Sequence, residues 1–211
     1  MAGQSSVLSD GSRLSRVDRA LYRIERVMTV LGGLAIFALM LLAVWNVTGR
    51  NGFDKPMSGY VDWINQAMPL IAFLGISFCQ RDGGHIRMDI LVGRLRGRVL
   101  WAFEFLSTLC MLVLILLLIW GSWEHFGRSF DFAAPRWSRD SSIDIGLPLW
   151  PGKLLVPVAF SVLALRLVIQ MLGFGRAFLS GATAPVAVPL VQDAATVAAQ
   201  EAAAVSRQGD A

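Results

Sequence analysis

Apolar residues in this chain fall in long uncharged runs separated by short polar stretches, not in strict alternation. Residues 27–48 carry no charge over 22 positions. At 1.5 Å rise per residue such a run reaches about 33 Å, enough to cross a hydrocarbon core of about 30 Å. Residues 63–80 form a second uncharged stretch, with Ser58 as the expected N-cap, Asp62 in the first turn and Pro69 as an internal kink. Residues 99–123 form a third, interrupted by Glu104. Residues 147–172 form a fourth, with Pro148 and Pro151 at its start, Pro157 inside, and Lys153 and Arg166 as its charges. The pattern predicts an all-α integral membrane protein with four transmembrane helices.

Between the second and third runs the period changes. Met88, Leu91, Val92, Leu95 and Val99 recur at helical spacing and make one apolar stripe, bordered by Arg87, Arg94, Arg96 and Arg98. This predicts an amphipathic helix over 86–96, lying in the membrane interface with its arginines reaching lipid phosphates. Asp82-Gly83-Gly84 is the turn that leads into it. Residues 1–26 read as a basic cytoplasmic segment. Residues 173–211, rich in Ala and without an aromatic residue beyond Phe178, read as a disordered cytoplasmic tail.

Composition strengthens the membrane reading. The chain is 55% hydrophobic and 16% charged, with a mean hydropathy of +0.57. Soluble domains carry about 25% charged residues, which argues against a soluble enzyme. The net charge of +4 does not form one nucleic-acid-binding patch. Twelve Arg lie in the N-terminal segment, the 81–98 loop and the tail, against five Lys and Arg in the two opposite loops. That split places both termini in the cytoplasm. Trp45, Trp63, Trp120, Trp123 and Trp150 fall at the outer ends of the spans and Trp101 at an inner end, at headgroup level. The N-terminus has no cleavable signal pattern, and the first run is long enough to remain as an anchor. Cys79 and Cys110 lie in apolar runs and read as small hydrophobes.

The most distinctive stretch is Arg81-Asp-Gly-Gly-His85-Ile-Arg87-Met-Asp89. His85 and Asp89 stand four apart, share a helix face and can hydrogen-bond. They read as a cap for the interfacial helix or as a surface for a partner subunit. Taken with the basic N-terminus, Asn46 and Arg50 closing the first span, and the four-span layout, the Gly84-His85-Ile86…Asp89 motif resembles the small permease subunit of tripartite ATP-independent periplasmic (TRAP) transporters, DctQ-type. The resemblance covers roughly residues 20–172. That family often has paired acidic residues at the start of the second span, where this chain has only Asp62. The resemblance implies a non-catalytic subunit without a cofactor. Its implied partners are a large permease subunit that moves an organic acid on a sodium gradient, and a periplasmic solute-binding protein that delivers the substrate.

Charge inside the spans needs partners, since a central charge costs roughly 2.5–3.5 kcal/mol to insert. Glu104 and Arg166 lie at similar depth on helices adjacent in sequence, which predicts an ion pair between them. Lys153 is expected to reach the outer interface. Arg136 and Arg139, in an outer loop with Phe126, Phe130, Phe132 and Trp137, are candidate contacts for a periplasmic partner. A haem-bearing or respiratory membrane anchor is the enzymatic alternative. The chain has only His85 and His125 for it, about 30 Å apart at opposite faces of the membrane. A stand-alone carrier is disfavoured by four spans with no internal repeat.

Overall fold

Residues 13–31 contain neither Gly nor Pro, and the good helix formers Leu, Arg, Ala and Glu dominate, so nothing interrupts a helix before the first apolar run. In the computed structural model, which describes residues 13–81, 98–180 and 188, α1 accordingly spans Arg13–Phe53. Its 41 residues reach about 60 Å, twice the hydrocarbon thickness. The expected span 27–48 is therefore only the apolar centre of a longer rod. The described part of the N-terminal segment is helix, continuous with that span.

The far end of α1 is closed by its own return loop. Lys55 N–H donates to Gly49 O at 2.9 Å, and Met57 N–H donates to Asn46 Oδ1 at 3.0 Å. A Cβ on Gly49 would sit 2.8 Å from the Lys55 carbonyl oxygen, so only glycine admits this close return.

The second span is split. α2 covers Tyr60–Phe73 and α3 covers Ile76–Arg81, with a turn at Leu74-Gly75. Pro69 lacks the N–H that would bond to the carbonyl four residues back, and Gly75 is a poor helix former. Gly59, not Ser58, is the N-cap of α2, at φ 71°, and no side chain caps the helix.

The last two spans are α4, Arg98–Ser129, and α5, Trp150–Ser180. Both overrun the expected 99–123 and 147–172. They pack antiparallel through Leu112, Ile115, Phe160, Leu163, Ala164 and Leu167, with Phe73 of α2 set edge-on against Phe160 at 5.2 Å. α5 is the central helix and touches α1, α2, α3 and α4. Most apolar side chains of α1 from Val27 to Val47 face outward instead, with Val44 59% and Trp45 73% exposed. In water such a surface would be untenable, and in hydrocarbon it costs nothing. No strand occurs among the described residues, and all four helical spans are long and apolar enough to cross a membrane. The protein is an all-α, multi-pass membrane protein.

Two expectations near the start of α4 and the end of α5 change. Trp101 is buried, stacked on Phe174 at 6.1 Å, where headgroup exposure was expected. Residues 173–180 belong to α5, and Val188 is fully buried against Trp101, Phe174 and Ala177. The interfacial helix expected over 86–96 lies outside the described residues.

Candidate functional site: a buried charge cluster joining three helices

One face of α1 carries Ser15, Asp18, Tyr22 and Glu25, spaced so that all four point the same way along the helix. Ser15, Asp18 and Glu25 are buried, whereas Arg16, Arg19, Arg23 and Arg26 on the other faces are exposed. The buried face meets the last turn of α3 and the second half of α5. There Arg166 donates from Nε to Glu25 Oε1 at 2.8 Å and from Nη2 to Glu25 Oε2 at 2.6 Å, while Nη1 donates to Asp18. Asp18 also accepts from Arg81 Nη2 at 3.3 Å, and Glu25 accepts from the Ser77 hydroxyl at 2.6 Å.

The surroundings extend the same geometry. The Arg81 guanidinium lies 4.2 Å over the Tyr22 ring, which in turn stacks on Phe78. Gln80 Nε2 donates to Gln170 Oε1 at 2.8 Å, and Gln170 Nε2 donates back to the Gln80 carbonyl at 3.1 Å. Two guanidinium groups face two carboxylates, so the cluster is neutral as a whole. Arg166 and Glu25 are completely buried. A charge here has lost its water, and removing one member would strand another without compensation. The arrangement fixes α1, α3 and α5 relative to one another. Its chemistry is that of a clamp.

The expected Arg166–Glu104 pair is replaced by this cluster. All three nitrogens of the Arg166 guanidinium are engaged by Glu25 and Asp18 on α1. Glu104 is buried on α4, and its carbonyl accepts the Thr108 hydroxyl at 2.7 Å. Of the other candidates, Arg81 joins the cluster, while His85, Arg87 and Asp89 lie outside the described residues. Asp18 and Glu25 were missed because the segment reads as basic. The available signal was their seven-residue separation, two helical turns, which puts both acids on one face.

The opposite end of the bundle is held by a second polar set. Asp62 Oδ2 accepts from the Ser142 hydroxyl at 2.6 Å and from the N–H groups of Asp144 and Ile145 at 3.1 and 3.0 Å. The single acidic residue at the start of the second span thus fastens the 130–149 loop to α2. Lys153 reaches Asp140 Oδ2 at 2.7 Å and the Ser129 hydroxyl at 3.1 Å. These contacts hold the Asp140 carboxyl below its usual range, Lys153 first and Ser129 second. Asp131 is lowered as well, by the N–H of Ala133 and then by Arg139. Arg139 donates to Asp131 at 3.0 Å and Arg136 donates to the Gly146 carbonyl at 2.8 Å, so both candidate contact residues brace the loop's own fold. His125 lies in a cleft of about 300 Å³ with Asn65, Gln66, Ser122 and Lys153. No group of three or more metal-ligating side chains occurs among the described residues. Cys79 and Cys110 are free thiols on outward-facing positions.

Four hydrocarbon-length spans, charges cancelled internally at one end and a braced loop at the other define a multi-pass membrane protein built as a fixed body. Residues 22–176 match the family described as "Tripartite ATP-independent periplasmic transporters, DctQ component", and the chain belongs to that family. It is also similar to a Haemophilus influenzae protein named "Putative TRAP transporter small permease protein", with 29% identity over 103 residues. That match covers 48% of this chain and 64% of the relative.

Proposed function

We propose that this chain is the non-catalytic small subunit that scaffolds a large permease subunit in sodium-driven uptake of an organic acid. A periplasmic solute-binding protein delivers the substrate to the assembled complex. The chain sits in the bacterial inner membrane with both termini in the cytoplasm, the orientation favoured by its twelve-to-five split of Lys and Arg.

The observation that carries this reading is the contrast between the two sides of α1. Its N-terminal polar face is locked into the clamp with α3 and α5, while the apolar face of its central span is left largely uncovered by the other described residues. A helix fixed on one side and open on the other suits a static wall against which a moving subunit works. His85 and Asp89, with Arg81 and Arg87 beside them, are proposed as a further contact with the large subunit, and Arg136 and Arg139 as the edge nearest the binding protein.

The test is co-expression with a large TRAP permease subunit. Tagged chain is expected to co-purify that subunit, and proteoliposomes are expected to accumulate an organic acid only with both subunits, the binding protein and an inward sodium gradient. Uptake by the large subunit alone at the full rate, or uptake indifferent to replacing sodium with potassium, would overturn the proposal.

A further inference from the structure

Arg16, Arg19, Arg23 and Arg26 recur along α1 at three- and four-residue spacing, which sets them on one helix face, and all four are exposed. Arg19 donates from Nε to the Ser15 carbonyl at 3.4 Å, and none of the four forms an ion pair among the described residues. The described acids at this end are turned inward. Asp18 and Glu25 are taken up by Arg81 and Arg166 in the clamp, and Glu104 is buried on α4. The outer end differs, since there Arg128 lies beside Glu124, Arg139 bonds Asp131 and Lys153 bonds Asp140. Like charges one turn apart on a helix repel. The clamp thus leaves one face of α1 in need of an anion from outside the chain.

The continuation of that face restricts the anion. At the same spacing beyond Arg26 it passes through Val30, Phe37 and Val44, all exposed. One unbroken face is therefore cationic before Val27 and apolar after it, the order of headgroup and acyl chain in a lipid. Val27 opens the uncharged run, so Arg26 and Arg23 lie within about 6 Å of its start along the helix. A headgroup layer is about 5–8 Å thick on each side of the hydrocarbon, which puts both guanidiniums level with lipid phosphates. Arg19 and Arg16 stand about 12 and 16 Å out, where the surface potential has largely decayed. An acidic segment of a soluble partner would match the cations but not the apolar continuation. The guanidinium fork suits a phosphate, and side chains three residues apart on a helix can share one. Phosphatidylcholine carries its own cation, so a headgroup with net negative charge fits better. We infer that Arg23 and Arg26 form a docking site for the phosphate of an anionic phospholipid, with its acyl chain along the Val30 and Phe37 side of α1.

Other arginines of the chain also attract anionic lipid, so the test reads only the lipid beside α1. The full-length chain, with the photo-crosslinker p-benzoylphenylalanine in place of Val27, is reconstituted in nanodiscs of equal parts phosphatidylglycerol and phosphatidylcholine. Irradiation followed by mass spectrometry of the adducts gives the headgroup ratio at that point. Phosphatidylglycerol is expected to dominate. Arg23→Gln and Arg26→Gln are each expected to lower the ratio about fivefold, the contribution of one cation beside an anionic lipid surface. Arg23→Lys with Arg26→Lys keeps both charges and is expected to retain most of the preference. All of these side chains are exposed, so the variants are expected to unfold at the wild-type temperature. The same probe in place of the exposed Trp123, near the Arg128–Glu124 pair, is expected to capture the two lipids almost equally. Equal capture at residue 27 without the arginine substitutions overturns the proposal and leaves the stripe to an acidic protein partner. So does an unchanged ratio in both glutamine variants, or the same enrichment at residue 123 as at residue 27.

Discussion

Arg166 on α5 and Glu25 on α1 lie 141 residues apart in the chain and meet in a two-bond pair, at 2.8 and 2.6 Å, with no solvent exposure on either side chain. The forked guanidinium suits this task because its donors are held in one plane and match the two carboxylate oxygens. Breaking a buried pair by removing one partner costs about 3–5 kcal/mol, mostly because the other charge is left uncompensated. Arg166→Ala and Glu25→Ala are each expected to show losses of that size in the unfolding of the purified chain in detergent. The double variant Arg166→Met with Glu25→Leu retains the Asp18–Arg81 pair, and its cluster remains neutral. It is expected to be more stable than either single variant. A double variant no better than the worse single one would mean that the clamp is not governed by charge balance.

Arg166→Lys separates geometry from charge. A lysine keeps the positive charge but cannot span both Glu25 oxygens and Asp18 at once. It is expected to fall between wild type and Arg166→Ala in the same measurement, and a fully wild-type midpoint would rule out the bidentate contact as the source of stability.

At the other end, Asp62 serves as the post to which the 130–149 loop is tied, through one hydroxyl and two backbone N–H groups. Asp62→Ala removes all three acceptor contacts and is expected to raise the rate of proteolytic cleavage between residues 139 and 147 several-fold. Asp62→Asn preserves the shape with one neutral acceptor and is expected to be intermediate. Cleavage unchanged in both variants would show that the loop is held by its aromatic packing instead.

Gly59 meets two constraints at once. It sits at φ 71°, and a Cβ there would lie 2.6 Å from the Ile145 side chain. Gly59→Ala is expected to cost more than the roughly 1–2 kcal/mol of the left-handed backbone alone, because Ile145 must also move. Adding Ile145→Ala is expected to recover the steric part and leave the backbone part, as read from thermal unfolding. Full recovery would show that the backbone conformation at residue 59 carries no strain.

The spans were legible because hydrocarbon imposes one requirement, an uncharged run long enough to cross it, and that requirement is written locally in residues 27–48 and 99–123. Their ends were less legible. α1 extends back to Arg13 because helix propensity continues where hydropathy stops, and a hydropathy reading sees only the second. The clamp was half legible. Arg166 stood out as a charge in need of a partner, and depth alone suggested Glu104. The choice of Asp18 and Glu25 depends on α5 packing next to α1, a contact between the first and last helices that no local pattern records. Ser58 was misjudged as a cap for a similar reason, since the cap falls on Gly59, which is left-handed and lies against Ile145 from a distant loop.

That loop also carries the chain's expected acid response. Asp140 and Asp131 both have carboxyls lowered from the usual 3.8, Asp140 chiefly by Lys153 and Asp131 chiefly by the Ala133 N–H. A carboxyl with a depressed folded value stabilises the fold fully above its unfolded value, and that stability is lost as the pH falls through the folded one. The loop is therefore expected to stay closed from neutral pH down to about 4 and to open only below the ordinary carboxylate range. Trp137 and Trp150, whose ring centroids lie 6.4 Å apart, provide a fluorescence reading of that opening. Asp140→Asn removes the charge that Lys153 meets and is expected to flatten the lower part of the titration, leaving the contribution of Asp131. A loop that opens with a midpoint well above 4 would place the controlling proton on another group, and an unchanged titration in Asp140→Asn would exclude the Lys153 contact as its source.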